Sequence, residues 1–228
     1  MPTLRVLTYN VRSMRDDRAA LGRVLRDGDP DVVLVQESPR FARWRSLCAQ
    51  LARLGNLVVV SGGRYAGSNL ILSSLSVAVE SSVDVLFTRD PMQHRRGAAI
   101  AVMSKQGARF AVAGTHLDLH AAPRLRHVAE LDAAIGQHVP ADVPTIVAGD
   151  INDEPGSPAW RALTGHRTDA LAAVGAAGSF TSPARGAFKT IDGVFVDPRI
   201  AVTSARVLAS PDVLIASDHR PVLVELEF

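Results

Sequence analysis

The stretch Val147-Ala-Gly-Asp-Ile-Asn-Asp153 decides how the rest of the sequence is interpreted. Residues 145–148, which lead into it, predict a buried strand that ends at Gly149. Asp150 and Asn152 follow two residues apart, so on an extended backbone both side chains point to the same side. Such a pair suits a site that holds a water molecule and an anionic oxygen. An ordinary turn explains the pair equally well, because Asp and Asn are common turn formers.

Length and composition favour one globular domain. The chain has 228 residues, of which 47% are apolar and 21% charged. We therefore expect a substantial core and a single domain over residues 1–228. The net charge of +2 is too small to indicate a nucleic-acid partner by itself. Cys48 is the only cysteine, which excludes an intramolecular disulfide, and its helical pattern places it in the core.

The N-terminal segment and the apolar runs bear on location. The segment from Leu4 to Asn10 alternates and is too short for a signal peptide. No apolar run approaches the roughly 20 residues that are needed to span a bilayer. We therefore expect a cytoplasmic monomer without stable membrane insertion.

Apolar periodicity predicts about ten strands and four helices. The helices are predicted over residues 18–26, 41–54 and 123–139 and after Ser157. The apolar face of the second helix includes Phe41, and that of the third includes Leu125. The strands are predicted over residues 4–11, 32–37, 57–61, 68–73, 77–86, 97–103, 109–114, 145–149, 190–196, 201–208 and 221–228. Several strands follow one another without a helix, which favours two sheets with helices outside over a doubly wound parallel sheet.

Polar side chains with catalytic potential recur where the predicted apolar strands end. Each has an ordinary interpretation alone: Asn10 as a turn former, His116 as a buried histidine, Asp192 as a partner for nearby backbone. Together they are hard to explain separately, because buried charge is costly unless it is paired or used. The set consists of Asn10, Glu37, His116, Asp150, Asn152, Asp192, Asp218 and His219.

The residue types in this set favour a hard divalent cation. Carboxylate oxygens with a carboxamide suit Mg²⁺ or Mn²⁺, and the lack of a clustered His/Cys set disfavours zinc. No Gly-x-Ser-x-Gly elbow or Walker-type loop is present, which disfavours serine acyl transfer and that class of nucleotide hydrolysis. An Asp–His pair beside a divalent ion suits hydrolysis of a phosphate ester.

Seven short motifs lie in order between residues 8 and 221. They are Thr8-Tyr-Asn-Val11, Gln36-Glu37, Gly67-Ser-Asn-Leu-Ile-Leu-Ser73, Thr115-His-Leu-Asp118, Gly149-Asp-Ile-Asn152, Ile191-Asp192 and Ser217-Asp-His-Arg-Pro221. The set resembles the endonuclease/exonuclease/phosphatase superfamily, which includes pancreatic-type DNases, AP endonucleases, neutral sphingomyelinases and inositol-polyphosphate phosphatases. The combination of Gly-Asp-x-Asn with a later Ser-Asp-His is the most specific part.

The resemblance implies a fold and a metal site. The fold is an α/β, four-layer α/β/β/α sandwich, in which two mostly antiparallel sheets pack face to face with helices outside. Glu37 would be the principal ligand of Mg²⁺ or Mn²⁺, with Asn10 beside it and Asp218 completing the site. Asn69 and Arg96 match positions that line the substrate cleft in relatives.

The resemblance also implies five catalytic residues. Asp150, helped by Asn152, would position or activate the attacking water. His219 would act on the scissile phosphate as a general base or as a charge stabiliser, and Asp192 would fix its tautomer. His116 would hold a phosphate oxygen. Whether Asp150 or His219 is the general base stays open.

Departures from the family pattern bear on the branch. AP endonucleases carry an acidic residue where this chain has Arg12, and a tyrosine where it has His116. The histidine favours the DNase and sphingomyelinase branches. No long apolar hairpin for membrane insertion is evident, which disfavours a secreted sphingomyelinase.

The leading hypothesis is a divalent-metal phosphodiesterase that acts on nucleic acid. Arg12, Arg40, Arg43, Arg95 and Arg96 near strand ends favour it, although each alone fits a solvated surface charge. The aromatic content of 5% offers no obvious base-stacking platform. A phosphatase or a sphingomyelinase-like phospholipid phosphodiesterase is the alternative. A non-catalytic binding module on the same fold is the remote alternative.

Overall fold

Twelve strands and six α-helices form in the computed structural model, which describes residues 1–228. The strands are β1 (Thr3–Asn10), β2 (Val32–Gln36), β3 (Val58–Gly63), β4 (Asn69–Ser73), β5 (Ala78–Leu86), β6 (Gly97–Lys105), β7 (Ala108–His116), β8 (Thr145–Asp150), β9 (Thr168–Asp169), β10 (Asp192–Val196), β11 (Ala201–Val207) and β12 (Val222–Glu227). The helices are α1 (Arg18–Gly28), α2 (Trp44–Leu54), α3 (Ala121–His138), α4 (Pro158–Thr164), α5 (Ala170–Ala173) and α6 (Val213–Ala216). None of the helices has both the length and the apolarity that crossing a bilayer requires.

The strands form two sheets of six. The first sheet has the order β11-β12-β1-β2-β4-β3, and the second has the order β5-β6-β7-β8-β10-β9. One neighbouring pair in each sheet is parallel, β1 with β2 and β7 with β8. The other pairs are antiparallel. The predicted two-sheet, mostly antiparallel architecture is confirmed.

Strand alternation explains the layers. On β1, Leu4 and Val6 pack between the two sheets, whereas Leu7 and Tyr9 pack outward against α1 and α2. A third apolar cluster joins the outer face of the second sheet to α3 and α4. Because the central strands are covered on both faces, β2 is buried along its whole length, which accounts for its continuous apolar run. The sandwich therefore has the predicted α/β/β/α layers.

Helix α2 begins later than predicted. Arg43 adopts a left-handed conformation with φ 59°, so the helix starts only at Trp44. Phe41, predicted on the apolar face, lies outside the helix and is 70% exposed. Cys48 is buried in α2 and unpaired, as expected.

Helix α3 is rotated relative to the predicted apolar face. Leu125 is 44% exposed, whereas Arg124 and His127 are buried. The polar pair lies inside because both side chains bind backbone carbonyls, including the carbonyl of Thr88, which lies 3.0 Å from Nε2 of His127. Apolar spacing alone does not identify such polar contacts.

Two smaller differences concern the loops. The strand predicted over residues 57–61 continues through Gly62 and Gly63, which belong to β3 and pair with β4. The short elements β9, α5 and α6 were not predicted, because two to four residues do not establish a period.

One end of the sandwich collects the polar strand ends of both sheets. In the first sheet, Asn10 lies opposite Gln36, and Glu37 is the next residue after Gln36 along the chain. In the second sheet, Asp150 lies opposite both His116 on β7 and Asp192 on β10. The register therefore places these side chains next to one another.

Candidate active site

Gly149 allows β8 to approach β7 closely just before Asp150. A Cβ atom at Gly149 would lie 1.9 Å from the carbonyl oxygen of Thr115. No other residue fits without moving the backbone of one strand. The glycine of the Gly-Asp-x-Asn motif thus sets the position of the carboxylate that follows it.

Asp150 lies at the centre of the site. Its Oδ2 accepts a hydrogen bond from Nδ2 of Asn10 at 3.0 Å, and its Oδ1 accepts one from the backbone N–H of Asn152 at 3.0 Å. Burial and the charge of Asp192 raise the pKa of Asp150 to about 7, although His219 and both hydrogen bonds oppose the shift. A carboxylate with a pKa in this range is suited to accept a proton at neutral pH.

Asp192 and His219 form a hydrogen-bonded pair. Nδ1 of His219 lies 2.9 Å from Oδ2 and 3.1 Å from Oδ1 of Asp192. Its Nε2 lies 3.8 Å from Oδ2 of Asp150. Burial alone would lower the pKa of His219, but the charge and hydrogen bond of Asp192 and the charge of Asp150 raise it to about 10. The contact with Asp192 orients the ring and leaves Nε2 next to Asp150.

The contacts around Asp150 join the two sheets. Asp192 begins β10 of the second sheet, whereas His219 lies in the segment that enters β12 of the first. In the same way, Asn10 ends β1 of the first sheet and binds Asp150 at the end of β8 in the second. The site exists only where the sheets are packed together.

His116 and Arg96 provide nitrogen donors in the same place. Nε2 of His116 lies 3.3 Å from Oδ2 of Asp150, and burial, followed by the charge of Arg96, lowers the pKa of His116 well below its usual value. Burial also lowers the pKa of Arg96, but a guanidinium remains charged in a protein. Arg96 is buried, and its Nε has no hydrogen-bond partner. The site therefore contains a neutral imidazole and an unpaired cation.

A pocket of about 270 Å³ opens between these groups. Glu37, Asp150 and His219 line it together with Arg96 and His116, and Asn152 also contributes. Acidic and cationic side chains thus face the same small volume, which suits an anion bound together with a cation.

Glu37 and Asn152 both adopt left-handed backbone conformations, with φ of 51° and 54°. Non-glycine residues in this region cost roughly 1–3 kcal/mol and are concentrated at functional sites. Oε1 of Glu37 lies 3.4 Å from Nδ2 of Asn10, and Nδ2 of Asn152 donates to the carbonyl of Leu117 at 3.0 Å.

The donor set fits a divalent cation. Asp150, Asp192 and His219 each offer a ligand atom, and these atoms lie within 4.8 Å of one another. Glu37 adds a further carboxylate to the same pocket. Burial and the charge of Asp192 raise the pKa of Asp150, and a cation bound between the two carboxylates would oppose this shift.

Asp218 is not gathered into this pocket. Its Oδ2 lies 3.2 Å from Nε of Arg12, and its side chain is 45% exposed. The neighbouring Ser217 donates through Oγ to the carbonyl of Asn10 at 2.6 Å, which ties this segment to β1. The structure therefore brings Glu37 and Asn10 together, whereas Asp218 pairs with Arg12.

Asn69 lies beneath the pocket and does not line it. Its Nδ2 donates to the carbonyls of Ala66 and Gly97, at 2.7 and 2.9 Å. Both amide hydrogens are used by these bonds, whereas Oδ1 has no partner, so the expected substrate contact stays a prediction. Arg96, the other residue expected to contact substrate, does line the pocket.

A model of the Endonuclease/Exonuclease/phosphatase family matches residues 7–219. The chain belongs to this family. Its members are phosphoester hydrolases, which agrees with the predicted class of chemistry. No curated protein matches the chain in sequence.

Solved structures share the fold of the family over the full chain. An endonuclease/exonuclease/phosphatase from Bacteroides vulgatus is 20% identical, with a TM-score of 0.82 and 100% of both chains covered. A mannosyl-6-phosphatase from Bacteroides thetaiotaomicron is 17% identical, with a TM-score of 0.83 over 99% of this chain and 100% of that one. TDP2 from D. rerio, complexed with a single-strand DNA product, is 17% identical, with a TM-score of 0.75 and 100% of both chains covered.

Arg124 is a residue near the site of this family member that the sequence did not reveal. Its Nη1 donates to the carbonyls of Asp118 and Leu119, both at 3.1 Å, and to that of Asn152 at 2.6 Å. Its Nε lies 3.1 Å from Oδ2 of Asp153. One side chain thus fixes both the loop after His116 and the loop after Asp150. An arginine at helical spacing with Val128 and Leu131 was the available signal.

We expect Arg124→Lys to lower kcat by roughly 10- to 100-fold at nearly constant KM. A lysine cannot reach the three carbonyls and the carboxylate in one geometry, and small displacements of catalytic groups have effects of this size. Steady-state kinetics on a small phosphodiester measures kcat and KM, and a thermal melt measures the stability of the variant. Gln137→Ala, a change at an exposed position of the same helix, is the control. A loss of thermal stability without any change in kcat would show that Arg124 is only structural.

Proposed function

We propose that the protein is a divalent-metal-dependent phosphodiesterase, with residues 1–228 acting as one domain and nucleic acid as the substrate. The observation that carries this proposal is the 270 Å³ pocket. In it, Glu37, Asp150 and His219 share one small volume with Arg96, a buried guanidinium that forms no ion pair. This arrangement suits a phosphate group beside a metal ion and a water molecule.

The side chains have separate roles in this proposal. Asp150, held by Asn10 and Asn152, aligns or deprotonates the attacking water. His219 presents Nε2 to the phosphoryl oxygens or the leaving group, while Asp192 holds its Nδ1. The hydrogen bonds at 2.9–3.0 Å that fix the two side chains support both roles.

Two further side chains bind the phosphate. Arg96 and His116 donate hydrogen bonds to non-bridging oxygens, Arg96 as a cation and His116 as a neutral imidazole. These donors lie in a buried pocket, where an electrostatic contact is stronger than in water. A non-catalytic module would not need an Asp–His pair and a buried, unpaired guanidinium in one pocket.

Glu37, together with Asn10, would hold the metal ion. When bound, Mg²⁺ or Mn²⁺ would offset negative charge on the phosphoryl oxygens. Carboxylate and amide oxygens are the donors that these ions prefer.

Two observations bear on the substrate. The TDP2 structure with a single-strand DNA product has the same fold, and several arginines lie near the pocket, which supports nucleic acid. The mannosyl-6-phosphatase has a similar fold with a TM-score of 0.83, which favours hydrolysis of a small phosphomonoester as the second candidate.

The test measures hydrolysis of a panel of substrates in the presence of Mg²⁺, Mn²⁺ or EDTA. The panel consists of plasmid DNA, a single-stranded oligonucleotide, RNA, bis-p-nitrophenyl phosphate, p-nitrophenyl phosphate, sphingomyelin and inositol phosphates. We expect metal-dependent cleavage of the nucleic acids and the diester, which EDTA abolishes. Turnover of a monoester alone would establish the phosphatase candidate, and turnover of sphingomyelin alone a lipid diesterase. Silence on all substrates with both ions would overturn an enzymatic function.

A further inference from the structure

A larger cavity of about 910 Å³ adjoins the catalytic pocket. It lies between the segment before α2, the turn before β4 and the loop that joins β5 to β6, and we call it the side groove. Arg40, Gly67, Ser68 and His94 line both the side groove and the catalytic pocket. A ligand could therefore extend from one into the other without leaving the surface.

The side groove is strongly cationic. Arg40, Arg43, Arg64, Arg89 and Arg95 line it, and no Asp or Glu is among its 14 lining residues. The whole chain has a net charge of only +2, so this concentration of arginine is a local feature. A groove with five cations and no counter-charge of its own suits a ligand that carries several negative charges.

Exposed aromatic rings lie along the same groove. Phe41 is 70% exposed and Tyr65 is 55% exposed. The ring of Trp44 contacts Tyr65 edge to face, at 5.9 Å between centroids. A Cβ atom at Gly63 would lie 2.5 Å from the Trp44 ring, so the glycine allows that ring to pack against the backbone. Trp44 thus supports Tyr65. The guanidinium of Arg40 lies 5.3 Å from the centroid of the Phe41 ring, and that of Arg45 lies 5.9 Å from the centroid of the Tyr65 ring, so a base would stack on the other face of each ring.

We propose that the side groove binds single-stranded nucleic acid, with phosphates on its arginines and bases stacked on Phe41 and Tyr65. This inference rests on the proposed function and specifies its substrate: the strand leads the scissile phosphodiester into the adjoining pocket. Cationic grooves with stacking aromatics are the common solution for single strands.

Other anions fit this combination less well. The bases of a duplex are stacked on one another and do not reach Phe41 or Tyr65. A small phosphorylated metabolite would use only part of a 910 Å³ cavity with five arginines. A lipid needs a continuous apolar surface for its chains, whereas 5 of the 14 lining residues are hydrophobic and arginines stand among them.

The sequence did not reveal this platform because its parts come from separate segments. Phe41 fitted the apolar face of a predicted helix, and Tyr65 stood alone between two predicted strands. Only the packing of α2 against β3 places the two rings on one groove.

The test measures how tightly the full chain binds a fluorescein-labelled oligothymidylate of twelve nucleotides. Fluorescence anisotropy, recorded in EDTA at a series of salt concentrations, gives the binding constant. We expect Phe41→Ala and Tyr65→Ala each to weaken binding by about 5- to 100-fold. We expect Arg43→Ala and Arg64→Ala each to weaken binding and to reduce the slope of log K against log salt by about 0.7. All four side chains are at the surface, and a thermal melt verifies the fold.

Two matched controls are available. Arg53→Ala changes an exposed arginine at the far end of α2, and Leu75→Ala changes a side chain that is 87% exposed beyond the remote end of β4. We expect neither to alter oligonucleotide binding.

Several outcomes would overturn the inference: equal binding of duplex and single strand, indifference to the aromatic changes, or binding only to vesicles that contain anionic phospholipid. Hydrolysis of bis-p-nitrophenyl phosphate by the unmodified protein separates the two proposals. Turnover of this diester without groove-dependent oligonucleotide binding would refute the groove and leave the function standing. Groove-dependent binding without turnover would refute the proposed hydrolysis and leave the side groove standing as a binding site.

Discussion

His219→Asn is expected to lower kcat/KM for phosphodiester hydrolysis by about 10²- to 10⁴-fold. Asp192→Asn is expected to cause a loss in the same range, because Asp192 acts by orienting the imidazole through the hydrogen bond of 2.9 Å. The double variant should then lose no more than His219→Asn alone. Residues that act as one unit give such strongly non-additive effects.

Steady-state kinetics at saturating metal, measured on the unmodified protein, the two single variants and the double variant, tests this non-additivity. Asp142→Asn, a change at an exposed carboxylate at the other end of the sandwich, is the matched control and should leave kcat/KM unchanged. If the two losses multiply in the double variant, Asp192 acts independently of His219, and direct ligation of the ion becomes the better assignment.

Glu37→Gln is expected to abolish most metal binding and to reduce hydrolysis by at least about 100-fold. A neutral amide is a far weaker ligand for Mg²⁺ than a carboxylate, and Asn10 alone cannot replace it. At about 100 times Kd, a bound ion stabilises the unmodified protein by roughly 2.7 kcal/mol, or roughly 5–10 °C in Tm for a chain of this length. We expect the variant to lose this metal-dependent increase, and both proteins to melt alike in EDTA.

Thermal melts with Mg²⁺, Mn²⁺ and EDTA provide the measurement, and Glu80→Gln, a change to a carboxylate that pairs with Arg109, provides the control. The same melts on Asp192→Asn distinguish two possible ion sites. If Asp192→Asn removes the metal response and Glu37→Gln keeps it, the ion lies in the Asp150, Asp192 and His219 group.

Much of the fold could be predicted because its signals are local. Buried strands such as β2 show continuous apolar residues, and β1 shows alternation, so strand positions and the two-sheet arrangement follow from the chain itself. The start of α2 could not be predicted, because the left-handed conformation of Arg43 leaves no periodic trace.

The site was predictable where motifs end strands, and less so where a side chain acts across elements. Asp150, Asp192 and His219 meet in the structure, and Glu37 lines the same pocket. The partners of Arg124 are carbonyls on two distant loops, the amide of Asn69 binds backbone, and Asp218 pairs with Arg12. The contacts of these three side chains depend on residues that are distant in sequence, and the spacing of residue types along the chain does not predict such contacts.

The position of the site across both sheets makes activity a late event in folding. Asn10 and Asp150 are 140 residues apart, and Asp192 and His219 are 27 apart, yet each pair must meet before the candidate site is complete. A chain that has formed only its first sheet holds Asn10 and Glu37 without Asp150 or Asp192. Recovered turnover therefore reports the docking of the sheets rather than the formation of either one. For the same reason, we expect a defect in the core between the sheets to lower the turnover rate before it unfolds the protein.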